Sequence, residues 1–137
     1  MRVTNITSPL DIAVSGLKAQ NKSIEVISSN VANSRTLDAG NGQPYRRVEA
    51  ILQAQNPNGD GIGGVKLNEL LPDKSNFEKM LDPGNPKADA QGYVSMPNID
   101  IPTEMMNLNL ASRAYQANAA VLKRYQMMVD VSLELLR

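Results

Sequence analysis

The chain has 137 residues, with 14 basic and 14 acidic side chains, 4% aromatic residues, and neither histidine nor cysteine. Disulfides and thiolate metal sites are therefore excluded, and the commonest general base and zinc ligand is missing. The charge is balanced and forms no basic stripe, which argues against a nucleic-acid partner. No stretch of about 18 apolar residues occurs, so we expect no transmembrane span and no membrane insertion. The N-terminal residues also lack the long apolar segment of a cleaved signal peptide.

The first region, residues 8–33, has the pattern of one amphipathic helix. Ser8 is placed to act as the N-cap, with Pro9 at the first helical position and Asp11 three residues after the cap. Apolar residues then recur at intervals of seven, which is typical of a helix that packs lengthwise on another helix. These residues, which we take as the first half of an assembly seam, are Leu10, Leu17, Ile24 and Val31.

The second region, residues 34–99, holds eight of the nine glycines and six of the eight prolines. Alternation of apolar and polar residues predicts a strand over residues 48–54 and another over residues 65–71. The segment between them contains Asn58-Gly59 and Asp60-Gly61, two strong hairpin-turn pairs. A short element around residues 76–81 and a turn-rich stretch over residues 82–98 complete a small β-rich insert.

The third region, residues 100–136, predicts a second long helix. Asp100 or Thr103 is a candidate cap, and Pro102 lies near the first turn. The alanine-rich centre has high helix propensity. Apolar residues again recur at intervals of seven and form the second half of the assembly seam: Leu108, Tyr115, Leu122, Val129 and Leu136.

The expected fold class is therefore α+β, with long N- and C-terminal helices paired as an antiparallel coiled-coil-like hairpin and a small β-rich insert between them. We expect residues 1–33 and 100–137 to form the paired helices and residues 34–99 to form the insert. Four methionines lie partly off the seam, and the pattern leaves open whether they complete the core or face neighbouring subunits. They are Met105, Met106, Met127 and Met128.

Two patterns could suggest a ligand site, but turns explain both of them better. The G-x-G-x-x-G spacing within residues 59–64 resembles a dinucleotide fingerprint, yet its flanks look like the two strands of a hairpin. Asp82, Asn85 and Asp89 offer oxygen ligands, but their spacing is not that of an EF-hand loop. No pair of side chains is selected for acid–base work, so we expect no enzyme activity, no bound metal and no cofactor.

A motif at the end of the first helix, Asn30, Ala32 and Asn33 followed by Thr36, resembles a signature of the flagellar rod and hook family. The core of that family's N-terminal signature is an Asn, any residue, Ala-Asn, two residues and a Thr, which here are Asn30, Ala32, Asn33 and Thr36. Four later segments are similar in order and spacing to proximal-rod members of the family, so the resemblance covers nearly the whole chain. These segments are GQPYRR at 42–47, DPGNPKAD at 82–89, GYVSMPNID at 92–100, and residues 104–136.

The resemblance implies a structural subunit and no reaction. Members of this family stack helically into a rod that crosses the periplasm and transmits motor torque, with the paired helices inside and the β-rich insert outside. The implied partners are copies of the chain, other flagellar rod proteins including the distal rod, and the adaptor region between the MS ring and the rod. The implied location is the flagellar basal body, reached through the flagellar type III export apparatus without a cleaved signal peptide.

The stretch SSNVANSRT, residues 28–36, is unusual for the end of a helix because amides and hydroxyls crowd it. We hypothesise that it is an elbow where the inner helix passes into the insert, with the family-motif residues at its centre. Asparagine and serine side chains can bond to helix-end groups and to neighbours. Asparagine also tolerates the left-handed conformation that a sharp exit requires. The simpler alternative is an ordinary polar C-cap.

A second class of function also fits the pattern, namely a free-standing helical-hairpin adaptor that binds a partner helix. Such an adaptor would be monomeric and fully folded alone. A rod subunit would have helices that finish burying their apolar faces only when neighbours arrive.

Overall fold

The structure, a computed structural model, describes residues 8–56 and 63–136. The elements in chain order are α1 (Pro9–Ala32), β1 (Val48–Ala54), β2 (Val65–Pro72), β3 (Glu78–Leu81), β4 (Tyr93–Met96) and α2 (Ile101–Glu134). The expected α+β class is confirmed, because two long terminal helices pack together and small β-hairpins lie between them. Among these residues, neither helix combines the length and the apolar content that crossing a membrane requires.

The start of α1 follows the sequence prediction. Ser8 is the N-cap, and its hydroxyl accepts a hydrogen bond from the Asp11 backbone N–H at 3.2 Å. The Asp11 carboxylate in turn accepts from the Ser8 backbone N–H at 3.1 Å. Together these bonds form a capping box, which satisfies two N–H groups that a helix start otherwise leaves without partners.

The insert consists of two antiparallel hairpins. In the first, β1 pairs with β2 from Val48 opposite Pro72 to Ala54 opposite Val65, with a register shift between Ile51 and Leu52. The two predicted hairpin-turn pairs at residues 58–61 lie outside the described residues. In the second hairpin, β3 pairs with β4.

Strand β4 lies within the stretch predicted to be rich in turns, residues 82–98. It has only four residues, and turns precede it. A strand of that length is too short for alternation to stand out from the surrounding glycines and prolines. Its partner β3 confirms the short element predicted around residues 76–81.

Helix α1 is the central element of the fold. One of its sides packs on α2, and another packs on β1 and β2. The helices run antiparallel, because Gly16 lies against Asn118 while Asn30 bonds to Glu104. Within the described part of the chain, α2 packs on no element other than α1. Most of the surface of α2 is therefore left exposed.

Candidate functional site

A buried polar cluster joins α1, β1 and α2 at the end of the hairpin where α1 ends and α2 begins. We call it the elbow cluster, and it consists of Asn30, Tyr45, Arg47 and Glu104. Asn30 and Glu104 are each only 1% exposed. Polar groups buried this deeply destabilise a fold unless their hydrogen bonds are made, so their partners decide what the cluster does.

The side-chain amide of Asn30 uses every hydrogen-bonding position it has. Its Nδ2 donates to the Val48 carbonyl at 2.8 Å and to Glu104 Oε2 at 3.0 Å. Its Oδ1 accepts from the Val48 N–H at 3.0 Å and lies 3.3 Å from the Tyr45 hydroxyl, which donates to it. An amide offers two donors and two acceptor sites, so nothing is left over. One residue of α1 thus fixes the first residue of β1 and the first turn of α2.

The carboxylate of Glu104 also forms the main ion pair of the cluster. Its Oε1 accepts from Arg47 Nε at 2.7 Å, and the Arg47 side chain is only 18% exposed. Burial alone would lower the pKa of Arg47, but the hydrogen bond and the charge of Glu104 raise that pKa above its ordinary value. The guanidinium therefore stays charged, and Arg47 and Glu104 form a buried, hydrogen-bonded pair.

Two of the segments that resemble the flagellar family meet beside this pair. The backbone N–H of Arg47 donates to Asn98 Oδ1 at 2.9 Å, and Asn98 Nδ2 donates to Ser75 Oγ at 2.8 Å. Arg46 donates from one guanidinium nitrogen to the carbonyls of Asp73 and Ser75, at 2.7 and 2.9 Å. These bonds hold the start of β1, the chain after β2 and the chain before α2 in one place.

The end of α1 differs in one respect from the sequence expectation. The helix continues through most of the polar stretch to Ala32 and is capped by Asn33. The expected left-handed asparagine is wrong, because Asn33 has φ −98° and ψ 11°. None of the non-glycine residues in 8–56 and 63–136 has a positive φ. The chain leaves by continuing a right-handed turn, in which the Asn33 N–H still bonds to the Ser29 carbonyl at 3.0 Å.

Side chains complete this helix end. Asn33 Nδ2 donates to the Ser29 carbonyl at 2.9 Å, and Thr36 Oγ1 donates to Asn33 Oδ1 at 3.1 Å. The Thr36 carbonyl accepts from the Tyr45 N–H at 2.9 Å, which folds the following loop back onto the helix end. Of the family-motif residues, Asn30 therefore lies in the elbow cluster, Asn33 and Thr36 hold the helix end, and Ala32 is exposed.

The predicted seam residues are not the most deeply buried residues of the two helices. Fully buried apolar residues of the helices are mostly small: Ala13, Ala19, Val26 and Ala111. Six seam residues are half-buried: Leu10, Leu17, Ile24, Val31, Leu108 and Leu122. Three are exposed: Tyr115, Val129 and Leu136. In one copy of the chain the larger aliphatic groups of the seam therefore keep part of their surface uncovered.

The side of α2 that faces away from α1 carries a line of exposed apolar residues, which we call the outer stripe. Its members are Met106, Leu110, Val121, Met128, Val131 and Leu135. They recur at helical spacing along nearly the whole helix, so they share one face. All four methionines left open by the sequence are exposed, including Met105 and Met127. They therefore do not complete the core of this chain.

The patterns considered for ligand binding are turns where the structure describes them. Asp89 Oδ1 accepts from the backbone N–H groups of Tyr93 and Gln91, each at 2.9 Å, and these bonds lower the pKa of Asp89. The Asn85 N–H bonds to the Asp82 carbonyl at 3.1 Å. Residues 8–56 and 63–136 contain no group of three or more acidic side chains placed to hold a metal ion. Most of the glycine pattern lies outside these residues.

Sequence reasoning missed Arg47 and Glu104. An acidic residue in the first turn of a helix is common because it suits the helix dipole, so Glu104 did not stand out. One signal was present: Glu104, Ala111, Asn118 and Tyr125 also recur at intervals of seven. Glu104 and Ala111 on this line are buried, and the buried carboxylate of Glu104 requires a cation, which Arg47 supplies.

Two family models match the chain. The model described as "Flagella basal body rod protein" matches residues 10–36, which cover α1 and the motif at its end. The model described as "Flagellar basal body rod FlgEFG protein C-terminal" matches residues 90–135, which cover β4 and α2. The two matched ranges therefore contain both helices of the hairpin and the two residues of the elbow cluster that lie on helices.

Relatives from distant bacteria match over nearly their whole length. The flagellar basal-body rod protein FlgC of Salmonella typhimurium is 42% identical over 91% of this chain and 93% of its own. The proteins of the same name from Agrobacterium fabrum and Borreliella burgdorferi are 36% and 35% identical. They cover 92% and 95% of this chain, and 91% and 97% of their own. The chain therefore belongs to the FlgC family of flagellar basal-body rod proteins.

Proposed function

We propose that this chain is a structural subunit of the proximal rod of the bacterial flagellum. Copies of it assemble helically with other rod proteins into the drive shaft that carries motor torque across the periplasm. The names of its relatives support the rod assignment. The outer stripe of α2 supports the assembly, because it is an apolar face that one copy of the chain does not cover.

The outer stripe carries the proposal because of its length, from Met106 to Leu135, although Arg113 and Arg124 lie on the same face. Scattered apolar residues are normal on a protein surface, but large apolar residues repeated along one face mark a contact site. A helix that is apolar on its outward side as well as its inward side is characteristic of a buried helix. We therefore place α2 among neighbouring subunits in the rod.

The same proposal divides the chain by role. The helical hairpin, residues 1–33 and 100–137, lies inside the rod, and residues 34–99 lie outside it. The assembly seam and the outer stripe meet neighbouring subunits, which include the other rod proteins, the distal rod and the adaptor region at the MS ring. The chain reaches the rod through the flagellar export apparatus.

Complementation tests the rod assignment. The chain is expressed in a motile bacterium whose own rod protein of this family has been deleted, and swimming in soft agar is measured. Basal bodies are then purified and searched for the chain by mass spectrometry. We expect swimming to return and the chain to be present. Absence from basal bodies that otherwise assemble would overturn the proposal.

A charge in the seam tests whether the seam serves assembly. Leu122 is half-buried on α2, and its neighbour Lys123 is exposed. Leu122→Asp places a carboxylate against apolar surface at a cost of several kcal/mol, so we expect swimming to be lost. The control Lys123→Asp adds the same side chain one position away, and a strain that carries it should swim normally. Wild-type swimming of the Leu122 variant would contradict the seam assignment.

Two substitutions test the elbow. Asn33→Ala together with Thr36→Ala removes the Asn33–Ser29 and Thr36–Asn33 side-chain bonds and leaves the elbow cluster in place. If the elbow sets the direction in which the chain enters the insert, rods should fail to assemble although the purified variant remains helical. Normal rods and normal swimming would contradict the elbow hypothesis and favour the simpler alternative, an ordinary polar C-cap at residues 28–36.

Limited proteolysis separates a rod subunit from a free-standing adaptor. The purified chain is digested alone and its fragments are identified by mass spectrometry. Rapid loss of both ends, leaving a fragment near residues 40–100, is expected if the helices depend on neighbouring subunits. Resistance along the whole chain would favour the hairpin adaptor.

A further inference from the structure

The last part of α2 extends beyond the helix that it packs on. Gly16 lies against Asn118, and seven residues nearer the start of α1 the antiparallel pairing brings Pro9 opposite Tyr125. Residues 126–136, which we call the α2 tail, therefore continue about 15 Å past the first residue of α1, at 1.5 Å per residue. Every residue of the tail is exposed, with Leu135 and Leu136 at 83% and 86%.

The α2 tail is apolar around most of its circumference. Seven of its residues are exposed apolar side chains: Met127, Met128, Val129, Val131, Leu133, Leu135 and Leu136. Asp130 and Glu134 lie one helical turn apart and form a short acidic line on one side. A helix of this composition belongs in an apolar groove that has basic groups at its edge.

The structure contains a groove of that kind at the other end of the hairpin. It has a volume of about 610 Å³ and lies between the end of α1, the β3–β4 hairpin and the start of α2. Its apolar lining is Leu37, Met80, Met96, Ile99 and Ile101. Two of these residues are methionines, whose flexible side chains adapt to an inserted helix.

The edge of the groove carries the complementary charge. Arg35 and Lys79 are exposed beside the apolar lining, together with one acidic residue, Glu78. The ammonium of Lys79 lies 3.7 Å from an Asp89 oxygen, and both side chains are exposed, so this pair is weak and can be exchanged. Two basic groups at the rim thus match the two carboxylates of the α2 tail.

The tail of one copy cannot reach its own groove. The 34 residues of α2 separate the two sites by about 50 Å. Building on the proposed rod function, we infer that the α2 tail of one copy docks in the elbow-end groove of the next copy. Such a contact joins two different surfaces, so it does not close on itself after two copies and continues from copy to copy in a head-to-tail arrangement.

Cysteine cross-linking of the full-length chain tests the contact, because the chain has no cysteine of its own. The variant Met80→Cys/Leu135→Cys carries one thiol in the groove and one on the tail, both at exposed positions. Oxidation should give a ladder of two, three and more copies, since disulfides form only between closely apposed residues. Mixing the two single-cysteine variants should give heterodimers and nothing longer.

The matched control moves the groove cysteine elsewhere. Leu70 is also an exposed apolar residue, on β2 and away from the groove lining, so Leu70→Cys/Leu135→Cys should give little ladder. Equal ladders from both double variants would overturn the docking. Dimers from Leu135→Cys alone, equal in amount to the mixed heterodimers, would also overturn it, because they would show that two tails meet.

Charge exchange gives a second readout. Replacing Asp130 and Glu134 with Lys should lower the ladder yield about 1.4- to fivefold for each pair lost, as for exposed ion pairs of about 0.2–1 kcal/mol. Replacing Arg35 and Lys79 with Glu should do the same, and combining all four changes should restore the yield. If the variant with all four changes gave no higher ladder yield than either two-residue variant, the proposed charge match would be contradicted.

The complementation experiment shows whether a negative result concerns only this contact or the proposed rod function itself. If the chain restores swimming but the double-cysteine variant gives no ladder, the rod role stands and the contact between copies is wrong. If the chain neither enters basal bodies nor restores swimming, the proposed function fails independently of the ladder.

Discussion

Replacing Glu104 with Ala should be among the most damaging single changes in this chain. The carboxylate accepts from Arg47 Nε at 2.7 Å and from Asn30 Nδ2 at 3.0 Å, and it is 1% exposed. Its removal leaves a largely buried guanidinium without its nearest counter-ion and a buried amide without one acceptor. Breaking a buried pair by removing one partner costs about 3–5 kcal/mol.

That loss is large compared with the stability of a domain, which is about 5–15 kcal/mol. Urea unfolding followed by far-ultraviolet circular dichroism measures it. With a slope of about 1–3 kcal/mol per molar urea, the midpoint of Glu104→Ala should fall by about 2 M at unchanged slope. The control is Glu134→Ala, which removes the same side chain from an exposed position on the same helix and should shift the midpoint little.

A double-mutant cycle separates the pair from its surroundings. Arg47→Ala with Glu104→Ala should cost clearly less than the sum of the two single changes, because the double variant leaves neither side chain buried without its nearest partner. The coupling is limited by Glu49 and Asp73, whose carboxylates also lie 3.6 Å from the Arg47 guanidinium. Arg47→Met with Glu104→Leu, which fills the site with apolar groups, should retain most of the stability. If Glu104→Ala unfolds at the same urea concentration as Glu134→Ala, the elbow cluster does not hold the hairpin to the insert.

Two further predictions concern the helix contact and the loops. A Cβ added at Gly16 would lie 2.6 Å from Asn118 Nδ2, so Gly16→Ala should lower the urea midpoint in the wild-type chain. In an Asn118→Ala variant the clash is gone, so Gly16→Ala should stabilise the fold by up to about 1 kcal/mol through helix propensity. If Gly16→Ala changed the stability in the same direction with and without Asn118, the close approach would be contradicted. Asp38 has a pKa of about 2, below its ordinary 3.8, chiefly because the Lys87 ammonium donates a hydrogen bond to it. A lowered folded-state pKa means that the unfolded chain takes up the proton first as the pH falls. The contribution of this contact should therefore be present above pH 3.8 and be lost as the pH falls toward about 2. Lys87→Met should return the carboxyl pKa toward 3.8 by nuclear magnetic resonance titration, and an unchanged value would exclude Lys87 as the cause.

Much of the architecture could be predicted because its signals are local. Ser8, Pro9 and Asp11 mark the start of α1 within four residues, and the structure contains the capping box they predict. The strand alternation at residues 48–54 and 65–71 likewise corresponds to β1 and β2. Periodic patterns of this kind arise because one face of an element must be buried whichever element covers it.

The depth of burial along the helices did not follow from periodicity. The heptad rule selects the largest aliphatic residues, such as Leu17 and Leu122, and these are half-buried. The fully buried apolar positions of the helices are instead Ala13, Ala19, Val26 and Ala111. Helix α1 must serve two neighbours, α2 and the β1–β2 hairpin, so its buried surface is wider than one seam and is centred elsewhere.

The sequence by itself determined the helix–insert–helix order, the cap of α1, the polar motif at its end and the resemblance to the flagellar rod family. Only the tertiary structure joined Asn30, Arg47 and Glu104, which are up to 74 residues apart along the chain. It also decided that the methionines of α2 are exposed and that the α2 tail extends past α1. The physical reason is that caps and periodicity depend on neighbours within a turn or two. The partner of a buried charge and the covered side of a helix depend on which distant segments meet.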